Sequence, residues 1–241
     1  METPPPASPL WAGLVRSSAH GPLPVLLLVL TVATGVIDAV SILALGRVFV
    51  ANMTGNVVFL GMALAGAPGF SLAASVAALA GFLLGAFAGG GVLRRRGGHR
   101  GRLLRDTGAA ELVLVATALG LTATAPAGAV VTAVVAALLA IAMGLQNTAA
   151  RRLAVPDLTT TVLTMTLTGI AADIRNSGSA TITRRVLAVL TMFAGALVGT
   201  LLVLHAPLEW ALALVVLLLG VVVLVTFLRS RHTEEWHIHG L

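Results

Sequence analysis

The sequence predicts an all-α fold, a polytopic transmembrane helix bundle with about seven spanning helices and a range of six to eight. Three observations carry this. Hydrophobic residues make up 58% of the 241 and charged residues only 10%, where a soluble domain has about 25% charged. The mean hydropathy is +1.01. Apolar runs recur at lengths near the roughly 20 residues that carry a helix across a bilayer core, and no period-2 alternation is sustained, which argues against a β-barrel. A lipid bilayer is therefore the expected partner, because apolar side chains can face it.

Taken in order, the chain opens on a Pro- and Ser-rich stretch, 1–22, read as a disordered tail without the marks of a signal peptide. Eight apolar stretches follow within a single transmembrane domain, 23–228: 23–46, 48–66, 71–93, 109–124, 127–150, 157–174, 185–204 and 208–228. Three are weak. The second carries Asn52, Thr54 and Asn56, the fourth is short and holds Glu111, and the sixth carries six threonines between Thr159 and Thr168. A polar tail, 229–241, closes the chain; its His232, His237 and His239 read as solvated rather than metal-binding.

The formal charge is +6, and all 15 basic residues are arginine. They sit between apolar runs, so they report topology and anionic lipid rather than nucleic acid. With no cysteine, disulfides, thiolate nucleophiles and Cys-ligated metals are excluded. No nucleophile–base set or phosphate loop is present, so neither an enzyme nor a bound cofactor or metal is expected. The cluster Arg94, Arg95, Arg96, Arg100, Arg102 and Arg105 marks a cytoplasmic loop, with Arg151 and Arg152 on the same side. Eight crossings would leave Arg175, Arg184, Arg185, Arg229 and Arg231 outside. A re-entrant sixth segment brings them in, which predicts seven crossings, an external N-terminus and a cytoplasmic C-terminus, with eight as the rival.

The two parts of the domain, about 23–124 and 127–228, match at an offset of 109 to 110 residues. Gly35 pairs with Gly144, Met53-Thr54-x-Asn56 with Leu163-Thr164-x-Thr166, and Gly85-x-x-x-Gly89 with Gly195-x-x-x-Gly199. Gly81, Gly85, Gly89, Gly195 and Gly199 are small-residue ridges for close helix packing, in this chain or against a second copy of it.

Intramembrane polar residues are the candidate site, because each is costly in hydrocarbon unless it faces a cavity or a partner. Asp38 lies in the first segment, as a cation or proton site or a side chain bonded to a neighbouring helix. Gln146 and Asn147 occupy the matching place in the second half. Asn52, Thr54 and Asn56 open the second segment, and Asp157, Thr160 and Thr164 run into the sixth, where Asp157 or Thr159 could cap a fresh helix. Thr160, Thr164 and Thr168 are spaced to share one helical face. These polar starts either line one central site or bond back to their own helices. Glu111, Asp106 and Asp173 read as interfacial, Asp106 as a partner of the basic loop.

Gly35-Val36-Ile37-Asp38-Ala39-Val40-Ser41, Asn52-Met53-Thr54-Gly55-Asn56, Gly144-Leu145-Gln146-Asn147, Arg151-Arg152, and Pro156-Asp157-Leu158-Thr159-Thr160-Thr161 followed by Leu163-Thr164 together resemble the YoaK-type family of bacterial multi-pass membrane proteins. The resemblance covers roughly 25–228 and departs at Met165, where the family's pattern has Gly. It implies a protein of the bacterial cytoplasmic membrane and supplies no substrate. The expected function is transport of a small polar or ionic solute at a site between the two halves; the alternative is a non-transporting module that partners or stabilises another complex.

Overall fold

A computed structural model describes residues 20–96, 98–161, 163–173, 178–230 and 236. The described residues form eight α-helices and no strand: α1 (Leu23–Ala44), α2 (Met53–Leu64), α3 (Leu72–Arg96), α4 (Arg100–Thr124), α5 (Ala129–Leu153), α6 (Leu163–Asp173), α7 (Ser179–His205) and α8 (Leu208–Arg229). One helix falls in each apolar stretch, and six of them are long and apolar enough to cross a membrane. The other two, α2 and α6, have 12 and 11 residues. At 1.5 Å per residue they are about 18 Å long or less, against a core of about 30 Å. Among the described residues the candidate spans thus number six, the low end of the expected range.

Both short helices follow a break in left-handed backbone. After α1 the chain turns through Gly46 (φ 84°) and Arg47 (φ 55°), and after α5 through Ala154 (φ 48°), Asp157 (φ 66°) and Thr160 (φ 63°). Non-glycine residues seldom take this conformation, and a β-branched one such as Thr160 least of all. An apolar run of 48–66 therefore yields a helix only from Met53 onward. For the same reason Thr160 lies outside α6, so the expected Thr160–Thr164–Thr168 stripe shrinks to Thr164 and Thr168.

Contacts at the helix ends give the order of crossings. The Arg100 guanidinium lies 3.3 Å from His20 Nδ1 and donates to the Leu153 carbonyl, so the starts of α1 and α4 and the end of α5 share one end of the bundle. Gly21 packs against the Trp236 ring beyond α8 at that same end. At the other end, Leu45, Ala125, Gly128 and Leu208 line one small hollow, bringing together the end of α1, the end of α4 and the starts of α5 and α8.

α1 and α5 are central, with 72% and 50% of their spanning stretches buried against 17–33% for the other four long helices. α1 packs on α7, α3 on α5 and α4 on α8. The glycine ridges make two of these contacts. A Cβ on Gly35 would overlap the backbone at Met192 and Ala196, and one on Gly195 the backbone of Val32. Between α3 and α5, a Cβ on Gly144 would overlap Phe82 and Ala86, and one on Gly85 the backbone of Ile141. Gly81 and Gly89 continue the second seam against Ala137 and Thr148, and Gly199 the first against Val36. Outward faces carry exposed apolar side chains such as Phe87 on α3 and Phe193 on α7, 76% and 64% exposed, as lipid-facing positions should.

Helix α4 starts nine residues before its apolar run. The charged turn from Arg100 to Asp106 is helical, and His99 caps it by accepting the Arg102 N–H at 3.2 Å. This corrects the reading of Glu111. It lies eleven residues into a 25-residue helix, 1% exposed, with Oε1 unpartnered, and is buried at mid-span rather than interfacial. Asp106 does pair with the basic loop, to Arg96 at 2.9 Å and Arg105 at 2.7 Å. The side chain of Asp173, and Arg175, Arg231, His232, His237 and His239, lie outside the described residues.

Candidate functional site

The starts of the two short helices meet. A cleft of about 660 Å³ is lined by residues 51–55 at the start of α2, by Phe82 of α3, by Asn147 of α5, and by Thr161 and Thr164 at the start of α6. Four of the predicted residues, Asn52, Thr54, Asn147 and Thr164, therefore line one space although 112 positions separate the first from the last. No charged side chain is among its lining residues.

Each wall has a local cause. Asn52 is the N-cap residue of α2 and makes no side-chain cap bond, so its amide remains available and the first N–H groups of α2 go without a side-chain cap. Gly55 lets the Phe49 ring lie against α2, since a Cβ there would come within 2.6 Å of it. Phe49 stacks on Phe59 at 5.2 Å, Phe59 meets Phe70 at 5.1 Å, and the Arg47 guanidinium sits 5.9 Å over the Phe70 ring. This aromatic series fastens α2 to the loops on either side of it. Across the cleft, Asn147 donates to the Met143 carbonyl at 2.9 Å and accepts the Thr161 hydroxyl at 2.5 Å. The unwound stretch before α6 is thereby tied to α5.

Behind the cleft lies a buried polar cluster. The Gln146 amide donates to the Thr34 hydroxyl at 2.8 Å and to the Thr160 hydroxyl at 3.0 Å. Thr34 donates its own O–H to the Leu30 carbonyl at 2.9 Å. Gln146 Oε1 is left without a partner. One side chain thus joins α1, α5 and the left-handed Thr160. Asp38, one turn beyond Thr34 on α1, is 8% exposed with Oδ1 unpartnered. The backbone amide of Ala51 bonds to its carboxylate, and Ala51 itself lines the cleft. Asp38 therefore touches the start of α2 without being part of the wall.

Two predicted residues are placed elsewhere. Asn56 is 1% exposed and donates to the Ser75 carbonyl at 3.1 Å, holding α2 against α3. Asp157 pairs with Arg185 at 2.8 Å and Arg184 at 3.8 Å, clamping the break after α5 to α7 near the arginine-rich end. It stands six residues before α6 and caps no helix there.

Thr34 and Phe82 were not legible as site residues in the sequence. Thr34 could have been found, since it lies one helical turn before Asp38 on the same face; Phe82 gives no local signal. Among the described residues no group of three or more His, Cys, Asp or Glu could hold a metal ion.

Residues 26–225 match the profile of a family described as a protein of unknown function, DUF1275. The chain is also 34% identical over 151 residues to the UPF0700 transmembrane protein YoaK of Bacillus subtilis (strain 168), an alignment that covers 62% of this chain and 66% of that protein. No solved structure matches the chain.

Proposed function

We infer the function of this chain, which belongs to the DUF1275 family of membrane proteins, from its cleft: it is a carrier or channel-like transporter of a small polar or ionic solute. The observation that carries this reading is the meeting of two short helix starts in one space lined by side-chain amides and hydroxyls, the first of them without a side-chain cap. Broken helices of this kind are tolerated within a bilayer where they line a cavity. Asn52, Thr54, Asn147, Thr161 and Thr164 hold the solute, and Asp38, bonded to the amide of Ala51, takes the coupling cation or proton.

The domain is a duplication, and its halves are inverted. Three spanning helices in each half make an odd number, so the second half enters the membrane from the opposite side. In support, Gly35 meets Met192 and Ala196 as Gly144 meets Phe82 and Ala86, and Gly195 meets Val32 as Gly85 meets Ile141, all at the 109–110 offset. Six crossings put both termini on the cytoplasmic side of a bacterial inner membrane, in place of the external N-terminus that seven would require. Every arginine among the described residues except Arg47 then falls on that side, as the positive-inside rule asks.

A non-transporting module is the weaker reading. The glycine ridges it would use for docking face helices of the same chain. The test is flux into proteoliposomes across a panel of small polyols, amides, amino acids and inorganic ions. The wild type is expected to carry at least one of them, and Asp38→Asn together with Asn52→Ala to abolish that flux. Flux untouched by the pair removes the site assignment.

A further inference from the structure

We propose that the groove at the end of α3 is a binding site for an anionic phospholipid, independent of the central cleft. Arg94, Arg95 and Arg96 close α3 and, with Asp106 of α4, border a hollow of about 440 Å³ whose wall continues into Ala88, Gly91 and Val92. Ala88 is six residues from Arg94, about 9 Å deeper along the helix. The hollow thus joins a cationic rim to an apolar floor that runs toward hydrocarbon.

The charge at the rim is unbalanced. Asp106 is the one carboxylate in the lining, and Arg96 and Arg105 already hold it at 2.9 and 2.7 Å. Arg94 and Arg95 are exposed, and among the described residues neither has an ion-pair partner. Two adjacent guanidiniums present forked donors that suit phosphate oxygens. A zwitterionic headgroup would bring its own cation against them, whereas an anionic one does not.

The floor supplies a second observation. Gly89, Gly90 and Gly91 are consecutive, yet helix packing requires only the first, where a Cβ would come within 2.9 Å of Thr148. A Cβ on Gly90 would meet nothing within 4 Å, and one on Gly91 only the tip of Arg94 at 3.7 Å. Glycine weakens a helix interior, so two outward-facing glycines are a cost without a packing return. Gly91 lines the hollow and leaves bare backbone beside the guanidiniums, room in which an acyl chain can lie while its phosphate reaches Arg94 and Arg95. Basic pockets at the cytoplasmic ends of membrane helices are suited to anionic headgroups.

The experiment is native mass spectrometry of the intact protein titrated with phosphatidylglycerol or with phosphatidylcholine of the same chains. Phosphatidylglycerol is expected to bind the tighter, and R94Q/R95Q to weaken it by roughly 30-fold, about fivefold per arginine. R151Q/R152Q, which removes equal charge from the same end of the bundle, keeps the preference. Gly91→Leu, which puts a side chain into the hollow, weakens lipid binding, whereas Gly90→Leu, which points away from its lining, leaves binding and fold unchanged. Equal weakening by both arginine pairs would overturn the proposal as bulk electrostatics. Lipid binding unchanged by Gly91→Leu, or inorganic phosphate competing at equal affinity, would overturn it in favour of a simple phosphate site.

Discussion

Gly85→Ala and Gly90→Ala are the same chemical change, five residues apart on α3, and should have different outcomes. An added methyl on Gly85 overlaps the carbonyl of Ile141 and lies 2.8 Å from the carbon of that carbonyl and from its Cα. These are backbone atoms, so no rotamer change relieves the overlap and α3 must move away from α5. Overpacking of this kind costs about 1–3 kcal/mol. The gain in helix propensity on replacing glycine, about 1 kcal/mol, applies to both variants and cancels in the comparison. Gly90→Ala meets nothing within 4 Å and keeps that gain. The Gly85 variant should therefore be less stable than the Gly90 variant by about 1–3 kcal/mol, or roughly 2–4 °C in apparent Tm for each kcal/mol in a chain of this size. Thermal unfolding of both variants in one detergent measures this. Equal melting of the two, or a lower Tm for Gly90→Ala, would refute the α3–α5 seam.

Two further outcomes follow from the ends of the helices. Burial, then the charge of Arg102, holds the His99 imidazole below its usual 6.5, and its ring nitrogen accepts the Arg102 N–H. The folded state thus favours neutral His99, so this stabilisation is complete above pH 6.5 and is lost as pH falls through the lower folded value. His99→Asn keeps a capping acceptor that does not titrate and should flatten the fall in Tm between about pH 7 and 5; parallel profiles for the two proteins would count against the cap. Single cysteines at Gly98 and Gly178 should react with impermeant reagents from one face of the membrane, and those at Pro68, Pro126 and Ala206 from the other. The chain has no native thiol to compete, and a mixed pattern would contradict six crossings.

The fold class and the approximate place of every helix were legible because hydropathy reports solvent, and the glycine spacing reported which faces approach. The lengths of the helices were not. Hydropathy counts apolar residues, whereas spanning depends on helical length, and the left-handed turns at Arg47, Ala154, Asp157 and Thr160 leave no mark in composition. Glu111 was misplaced for the converse reason: the charged turn Arg100–Asp106 hides the true start of α4, because a helix continues where its side chains turn polar. Asn52, Thr54, Asn147 and Thr164 were identifiable as costly intramembrane polar residues, and the cleft contains them. That Asp157 would instead hold Arg185, and that Gln146 would reach Thr34 across 112 positions, depends on tertiary placement that no local pattern encodes.

The most direct test of a solute-accessible cleft between two half-helices is thiol labelling in liposomes. Thr54→Cys and Thr164→Cys should both react rapidly with a small water-soluble reagent, and Phe87→Cys and Phe193→Cys, on the lipid-facing surfaces, should stay unmodified. Thiols at 54 and 164 that react no faster than those at 87 and 193 would mean that water does not reach the cleft, and the transport reading would fail.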